Sequence, residues 1–298
     1  MLWFFLALIA YFFGAVTGLL DKFLLKQRAT TQPLVYSFYI GILSGFSLIL
    51  APLGLTWPGI SFVSLALFTG LILFLSIWAF FKALDINEPS RVFTLLGGLT
   101  PVLVLILSMI FLGEHLSRTQ LFSFVFLVLG GTLIYWKVGH MRKSPVVGLK
   151  FIVLNVFLTA IALVLIKYLY SWEIFVNAFI WTRLGIFLGA LFLLISATNR
   201  RLILNGGRQS KDAFSALLVS EKLLAGIAAL MLNLAIALSS VTLVNAMQGV
   251  QYAFLLILIL VFSKRFPFLF EEKMSRAVIV QKIIAVFLIA VGLIMLTA

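Results

Sequence analysis

Ten apolar stretches, each read as one membrane-crossing helix, take up nearly all of this chain. They are Leu2–Leu20, Leu34–Leu55, Phe62–Phe81, Val92–Leu112, Leu121–Trp136, Val146–Ile166, Ile174–Ser196, Leu217–Leu238, Leu243–Phe262 and Ala277–Leu296. A hydrocarbon core of roughly 30 Å takes about 20 helical residues to span. Lipid offers no partner to a backbone N–H or C=O, so each stretch has to satisfy its own groups, as a helix. The expected fold class is therefore all-α integral membrane, with ten transmembrane helices. The first stretch has no basic segment ahead of it and no small-residue cleavage site before Asp21-Lys22. It reads as a retained helix, not a signal peptide.

Composition excludes several function classes. Hydrophobic residues make up 63% and charged residues 10% of the chain, against roughly 25% charged in a soluble domain. The longest connectors, Lys137–Lys150 and Ala197–Ser215, are too short to build a core of their own. With no cysteine in the sequence, disulfides and thiolate chemistry are out of reach. His115 and His140 stand alone in connectors, and a zinc site needs several convergent ligands. The chain carries neither a Gly-rich phosphate loop nor a GxSxG elbow. No enzyme activity, metal or cofactor is expected.

Charge sets the orientation. Of the 22 Lys and Arg, 19 fall in the odd-numbered connectors or the helix ends adjoining them, on the side where stretches 1–2, 3–4, 5–6, 7–8 and 9–10 are joined. The other side holds Arg118 and Lys167, and Arg183 lies inside the seventh stretch. Positively charged connectors stay on the cytoplasmic side. Both termini are therefore expected outside, in a cytoplasmic (inner) membrane. The net charge of +13 is spread over five connectors, which suits a surface lying on anionic lipid and calls for no nucleic-acid partner.

The halves repeat one another. Gly18-Leu19-Leu20-Asp21-Lys22-Phe23 ends the first stretch as Leu163-Val164-Leu165-Ile166-Lys167-Tyr168 ends the sixth. Ala83-Leu84 matches Ala237-Leu238, and Leu127-Val128-Leu129-Gly130-Gly131 matches Leu288-Ile289-Ala290-Val291-Gly292. Residues 1–145 and 146–298 are read as two five-helix repeats of one membrane domain. Five is odd, so the second repeat enters from the opposite side. Inverted repeats of this kind place a solute site near the midplane, where the halves meet.

Several motifs resemble a known family. They are Lys82-Ala83-Leu84, Pro89-Ser90-Arg91-Val92, Leu99-Thr100-Pro101-Val102, Leu112-Gly113-Glu114-His115-Leu116-Ser117 and Leu129-Gly130-Gly131. Together they look like the EamA domain of the drug/metabolite transporter superfamily. The resemblance is specific in the first half only. The second half has Tyr252 near the place of Pro101 and Lys264-Arg265 in place of the Gly-Glu pair. What the resemblance implies is ten helices, an inverted repeat and alternating access for small metabolites. Family members are often drawn with cytoplasmic termini, whereas the charge distribution here puts them outside.

The motifs also have physical readings. Pro101, inside the fourth stretch, removes a backbone bond and can bend its helix, as a packing kink or as a gate. Ser117-Arg118-Thr119-Gln120 fits a capping box for the fifth helix. Glu114, just ahead of it, reads as a local structural element of the first half, binding loop amides or basic side chains.

Polar residues at helical spacing mark the expected pathway. Tyr11, Gly14, Thr17, Gly18 and Asp21 form one stripe at about 100° per residue. Arg91, Thr94, Gly98 and Pro101 form another, and Asn245, Gln248 and Tyr252 a third with Gln251 at its edge. For the glycines, close helix approach is the plainer reading. Amides inside a membrane are costly unless they face protein or water. Tyr11, Thr17, Trp78, Thr94, Asn155, Asn233, Asn245, Gln248, Gln251 and Tyr252 are accordingly expected to line a cavity. Arg183 has two readings. Its cost in the membrane, on the order of 3 kcal/mol, is met either by an anionic substrate group or gating carboxylate, or by a structural pair with Glu221. Lys22 and Lys167 sit at helix ends, where snorkelling is expected.

Taken together, the expected function is movement of a small polar or amphipathic metabolite (amino acid, sugar or drug-like) by alternating access, by a monomer or homodimer. A lipid or lipid-linked sugar translocase and a non-transporting scaffold subunit are the alternatives.

Overall fold

The structure, a computed structural model, describes residues 1–26, 33–136, 146–208, 216–262 and 276–297. Every element among them is helical: α1 (Leu2–Lys26), α2 (Pro33–Ser44), a 3-10 segment (Gly45–Leu53), α3 (Ile60–Ile86), α4 (Pro89–Phe111), α5 (Arg118–Tyr135), α6 (Val146–Trp172), α7 (Phe175–Leu193), α8 (Ala197–Arg208), α9 (Ala216–Leu238), α10 (Val241–Ala246), α11 (Gln248–Phe262) and α12 (Arg276–Thr297). Nine segments of the described residues are long and apolar enough to cross a bilayer. The fifth expected span, α5, offers a shorter apolar helix at Arg118–Ile134.

Two expected spans and one connector differ in detail. The second begins as α2 and tightens at Gly45 into the 3-10 segment, which contains Pro52; proline has no N–H for the α ladder. The ninth is interrupted at Met247, so that α10 and α11 are two helices in one span. The connector Ala197–Ser215 contains an unforeseen helix, α8. Arg200 and Arg201 are exposed on it and Ile203 is buried against the protein, with α2 packed alongside. At 12 residues, α8 is too short and too polar to span.

The outer surface suits lipid. Phe46, Ile49, Phe68, Ile110, Phe122, Phe157, Ile283 and Phe287 are exposed, an arrangement a water-soluble protein avoids. Trp57, Trp136 and Trp172 are exposed near span ends, where amphipathic rings favour the interface.

The interior is assembled pairwise. The largest interfaces join α5 to α12, α3 to α6, α1 to α9 and α3 to α7. Smaller ones join α4 to α6, α1 to α11 and α2 to α7. The α3–α7 crossing is close because neither helix has a side chain at the contact. A Cβ on Gly70 would stand 2.2 Å from the Thr182 carbonyl oxygen and 2.6 Å from Gly185 Cα. On the α5–α12 side, Ser123 Oγ donates to the Gly292 carbonyl at 2.6 Å, and Gln281 Nε2 donates to the carbonyls of Leu133 and Trp136.

Candidate functional site

One end of the bundle is tied across the two halves by Glu114. Gly113 ends α4 with φ +64°, a left-handed conformation that glycine adopts without penalty. The Glu114 N–H returns to the Ser108 carbonyl at 3.2 Å. Its carboxylate then accepts from Ser240 Oγ (2.7 Å), the Val241 N–H (3.1 Å) and Thr242 Oγ1 (3.0 Å). Ser108 and Thr242 share a further hydroxyl bond of 2.7 Å. Glu114 is therefore not local to the first half: it holds the start of α10 in the second, where the free N–H groups favour an anion. Lys167 departs from expectation in the same region. Its Nζ does not simply snorkel but donates to the carbonyls of Ile236 and Ala237 at 3.0 and 3.1 Å, satisfying the orphan acceptors at the end of α9. The capping box of α5 is present as expected, with Ser117 and Gln120 bonded reciprocally at 2.9 and 3.2 Å. Pro101 is buried in α4, and the helix runs through it.

The expected site residues fall into three groups. The first surrounds the α10–α11 break. Tyr11 Oη donates to the Val244 carbonyl at 2.7 Å, joining α1 to α10. The Gln251 amide lies against Gly14 of α1, 3.0 Å from where a Cβ would sit. Thr17 is buried and bonds back to the Gly14 carbonyl at 3.0 Å. Tyr252 is buried, with its ring edge-on to Phe93 of α4 at 6.2 Å, and Thr94 is buried on that same helix. Asn245 and Gln248 flank the break and are half-buried. Asn245 Oδ1 is buried without a hydrogen-bond partner. An orphan acceptor of this kind costs about 1–3 kcal/mol unless water or a ligand answers it.

The second group lies between α3 and α6. Asn155 Nδ2 donates to the Ser76 carbonyl and hydroxyl at 2.8 and 3.0 Å, and Ser76 also bonds Thr159 at 2.6 Å. Asn155 therefore fastens one helix to the other. Trp78, half-buried, stands edge-on to Phe151 at 5.6 Å.

The third group joins α6, α7 and α9. Tyr170 Oη donates to Asn233 Oδ1 at 2.9 Å, and Asn233 Nδ2 donates to the Ala229 carbonyl at 2.8 Å. The Arg183 guanidinium lies over the Phe179 ring, 4.8 Å from its centroid, and interacts electrostatically with Tyr170. The structural pair with Glu221 is not formed. Glu221 is buried nearer the other end of α9 and pairs with its neighbour Lys222 at 2.8 Å. Tyr170 was missed because it stands two residues from the end of its span, where tyrosine is ordinary. The interruption at Met247 left no sequence signal either, since no proline marks it.

Among the described residues, no group of three or more His, Cys, Asp or Glu is placed to hold a metal ion.

No curated protein matches the chain. Of chains with known structure, 28 match. One of them, a protein known from its crystal structure, aligns over 99% of this chain and 95% of its own with a TM-score of 0.66 and 18% identity. At that identity the likeness is one of fold. Residues 1–136 match the EamA-like transporter family. This match covers the first 136 residues, and the row of bilayer-length apolar helices among the described residues is that of a multi-pass membrane protein.

Proposed function

We propose that the protein moves a small polar or amphipathic metabolite across the cytoplasmic membrane by alternating access. Two inverted five-helix repeats, with both termini outside, rock about a central site. The packing supports the repeat. Exchanging the halves turns α3 on α6 into α9 on α1, and α4 on α6 into α11 on α1, and both members of each pair are present. The observation that carries alternating access is the pair that breaks the rule. α3 packs extensively on α7, yet among the described residues its counterpart, α9 on α2, makes no comparable interface. An inverted-repeat transporter needs such an inequality, because closing one side is the mirror of opening the other. The polar groups flanking the α10–α11 break, with the unanswered Asn245 acceptor, are the proposed solute contacts, together with Tyr11, Gln251 and Tyr252.

The absence of an extensive α2–α9 interface also favours a second reading, a lipid translocase whose substrate enters laterally between these helices. One experiment addresses both. Ile40→Cys with Leu224→Cys places a thiol pair on α2 and α9 in a chain that has no native cysteine. Oxidation should join the pair and stop solute counterflow in proteoliposomes, and reduction should restore it. A pair that never joins, or a joined protein with full flux, would defeat alternating access. Flux of a fluorescent lipid without any solute flux would favour the translocase.

A further inference from the structure

We infer that the group at α6, α7 and α9 takes a monoanionic organic substrate, with Arg183 receiving its carboxylate and the Phe179, Phe175 and Tyr170 rings bordering its apolar part. This rests on the transport reading above and names the substrate class.

Arg183 sits eight residues into α7, well inside a span. The five acidic side chains described are otherwise placed. Asp85 pairs with Lys82 at 3.1 Å, Glu114 holds the start of α10, Glu173 accepts from Asn177 at 3.2 Å, Glu221 pairs with Lys222, and Glu88 precedes α4. Among the described residues, none of them pairs with Arg183. Arg183 is half-buried, and the groups around its guanidinium belong to the protein interior. Phe179 is buried, and Tyr170 packs on the main core and bonds Asn233 of α9. The cation is therefore set among interior groups of α6, α7 and α9.

A membrane-embedded cation in such a place is a site for an anion. The guanidinium fork matches a carboxylate with two parallel hydrogen bonds. Around it the rings form a continuous wall: Phe175 stacks on Phe179 at 5.6 Å and touches Tyr170 at 5.2 Å. One cation, set against aromatic faces, suits one negative charge on an apolar body. A phosphate ester or dicarboxylate would bring more charge than the described groups answer.

The test uses the full chain in nanodiscs, with benzoate, benzamide and benzylamine as probes of one shape and three charges, read by calorimetry and thermal shift. Benzoate should bind about 10- to 100-fold more tightly than benzamide, the range for a charge-assisted hydrogen-bonded pair, and benzylamine should not bind. Arg183→Gln should abolish the preference for benzoate while leaving the ligand-free protein at least as heat-stable, because an uncompensated charge is removed. Arg183→Lys should keep the preference with weaker binding. Equal binding of benzoate and benzamide, an unchanged preference in Arg183→Gln, or no binding of benzoate would each overturn the assignment. So would failure of both variants to fold, which would make Arg183 a structural residue. Binding judges this proposal and flux judges the transport reading. Flux of neutral solutes without benzoate binding sinks only the former, and benzoate binding without flux of any solute sinks only the latter.

Discussion

Gly70→Ala tests the inequality between the halves at its tightest point. The added methyl would sit 2.2 Å from the Thr182 carbonyl oxygen and 2.7 Å from the Ile186 nitrogen. Carbon–oxygen contacts between packed helices lie near 3.3 Å, so the deficit is about 1 Å. The opposing atoms are backbone and cannot rotate aside; the helices have to part. The reverse substitution site is equally tight, since a Cβ on Gly185 would meet the Leu67 carbonyl oxygen at 2.3 Å. Overpacking of this kind costs about 1–3 kcal/mol. If the α3–α7 contact belongs to one state of a two-state cycle, a cost of ~2 kcal/mol falls on that state alone and shifts the equilibrium roughly 30-fold toward the other. The Ile40→Cys/Leu224→Cys pair reports that other state. Its oxidation should run at least tenfold faster in the Gly70→Ala background, and solute flux should fall. An unchanged cross-linking rate together with a lower melting temperature would refute the reasoning. The contact would then be a permanent part of the core.

Three further outcomes are expected. Glu114→Ala removes an acceptor of three hydrogen bonds to the start of α10 and should destabilise by about 2–3 kcal/mol, read as a lower melting temperature in detergent. Glu114→Gln should fall between it and the native protein, and a melting point unchanged by Ala would mean the clamp is idle. Gln248→Leu and Tyr252→Leu should keep their helices and lose solute flux, and normal flux in both would remove the α10–α11 break from the pathway. A cysteine at Ser61 should react with an impermeant thiol reagent in intact cells while one at Arg142 resists, and the reverse pattern would place the termini inside.

The spans were legible because a bilayer imposes one requirement, an apolar helix of fixed length, and runs such as Phe62–Phe81 and Val92–Leu112 have no other solution. Capping by Ser117 and Gln120 was equally legible, since all its partners lie within four residues. What resisted reading depends on neighbours distant in sequence. Glu114 looked local, yet its partners are Ser240, Val241 and Thr242. Asn155 looked like a cavity amide, and Ser76 of α3 takes up its donor. Arg183 had an acid within plausible reach on a helical map, but Glu221 is spoken for by Lys222. Lys22, the repeat partner of Lys167, and Arg142, the orientation marker, carry side chains outside the described residues. The break at Met247 has no proline to mark it.

The account turns on two interfaces that exchange. Spin labels at Tyr39 and Leu223 report the α2–α9 separation, and labels at Leu75 and Leu188 report α3–α7; all four side chains are exposed. Pulsed distance measurements in liposomes should give two populations for each pair, and any condition that shortens one separation should lengthen the other. A single fixed distance for both pairs, under every solute and in the Gly70→Ala background, would contradict alternating access and leave a static membrane bundle.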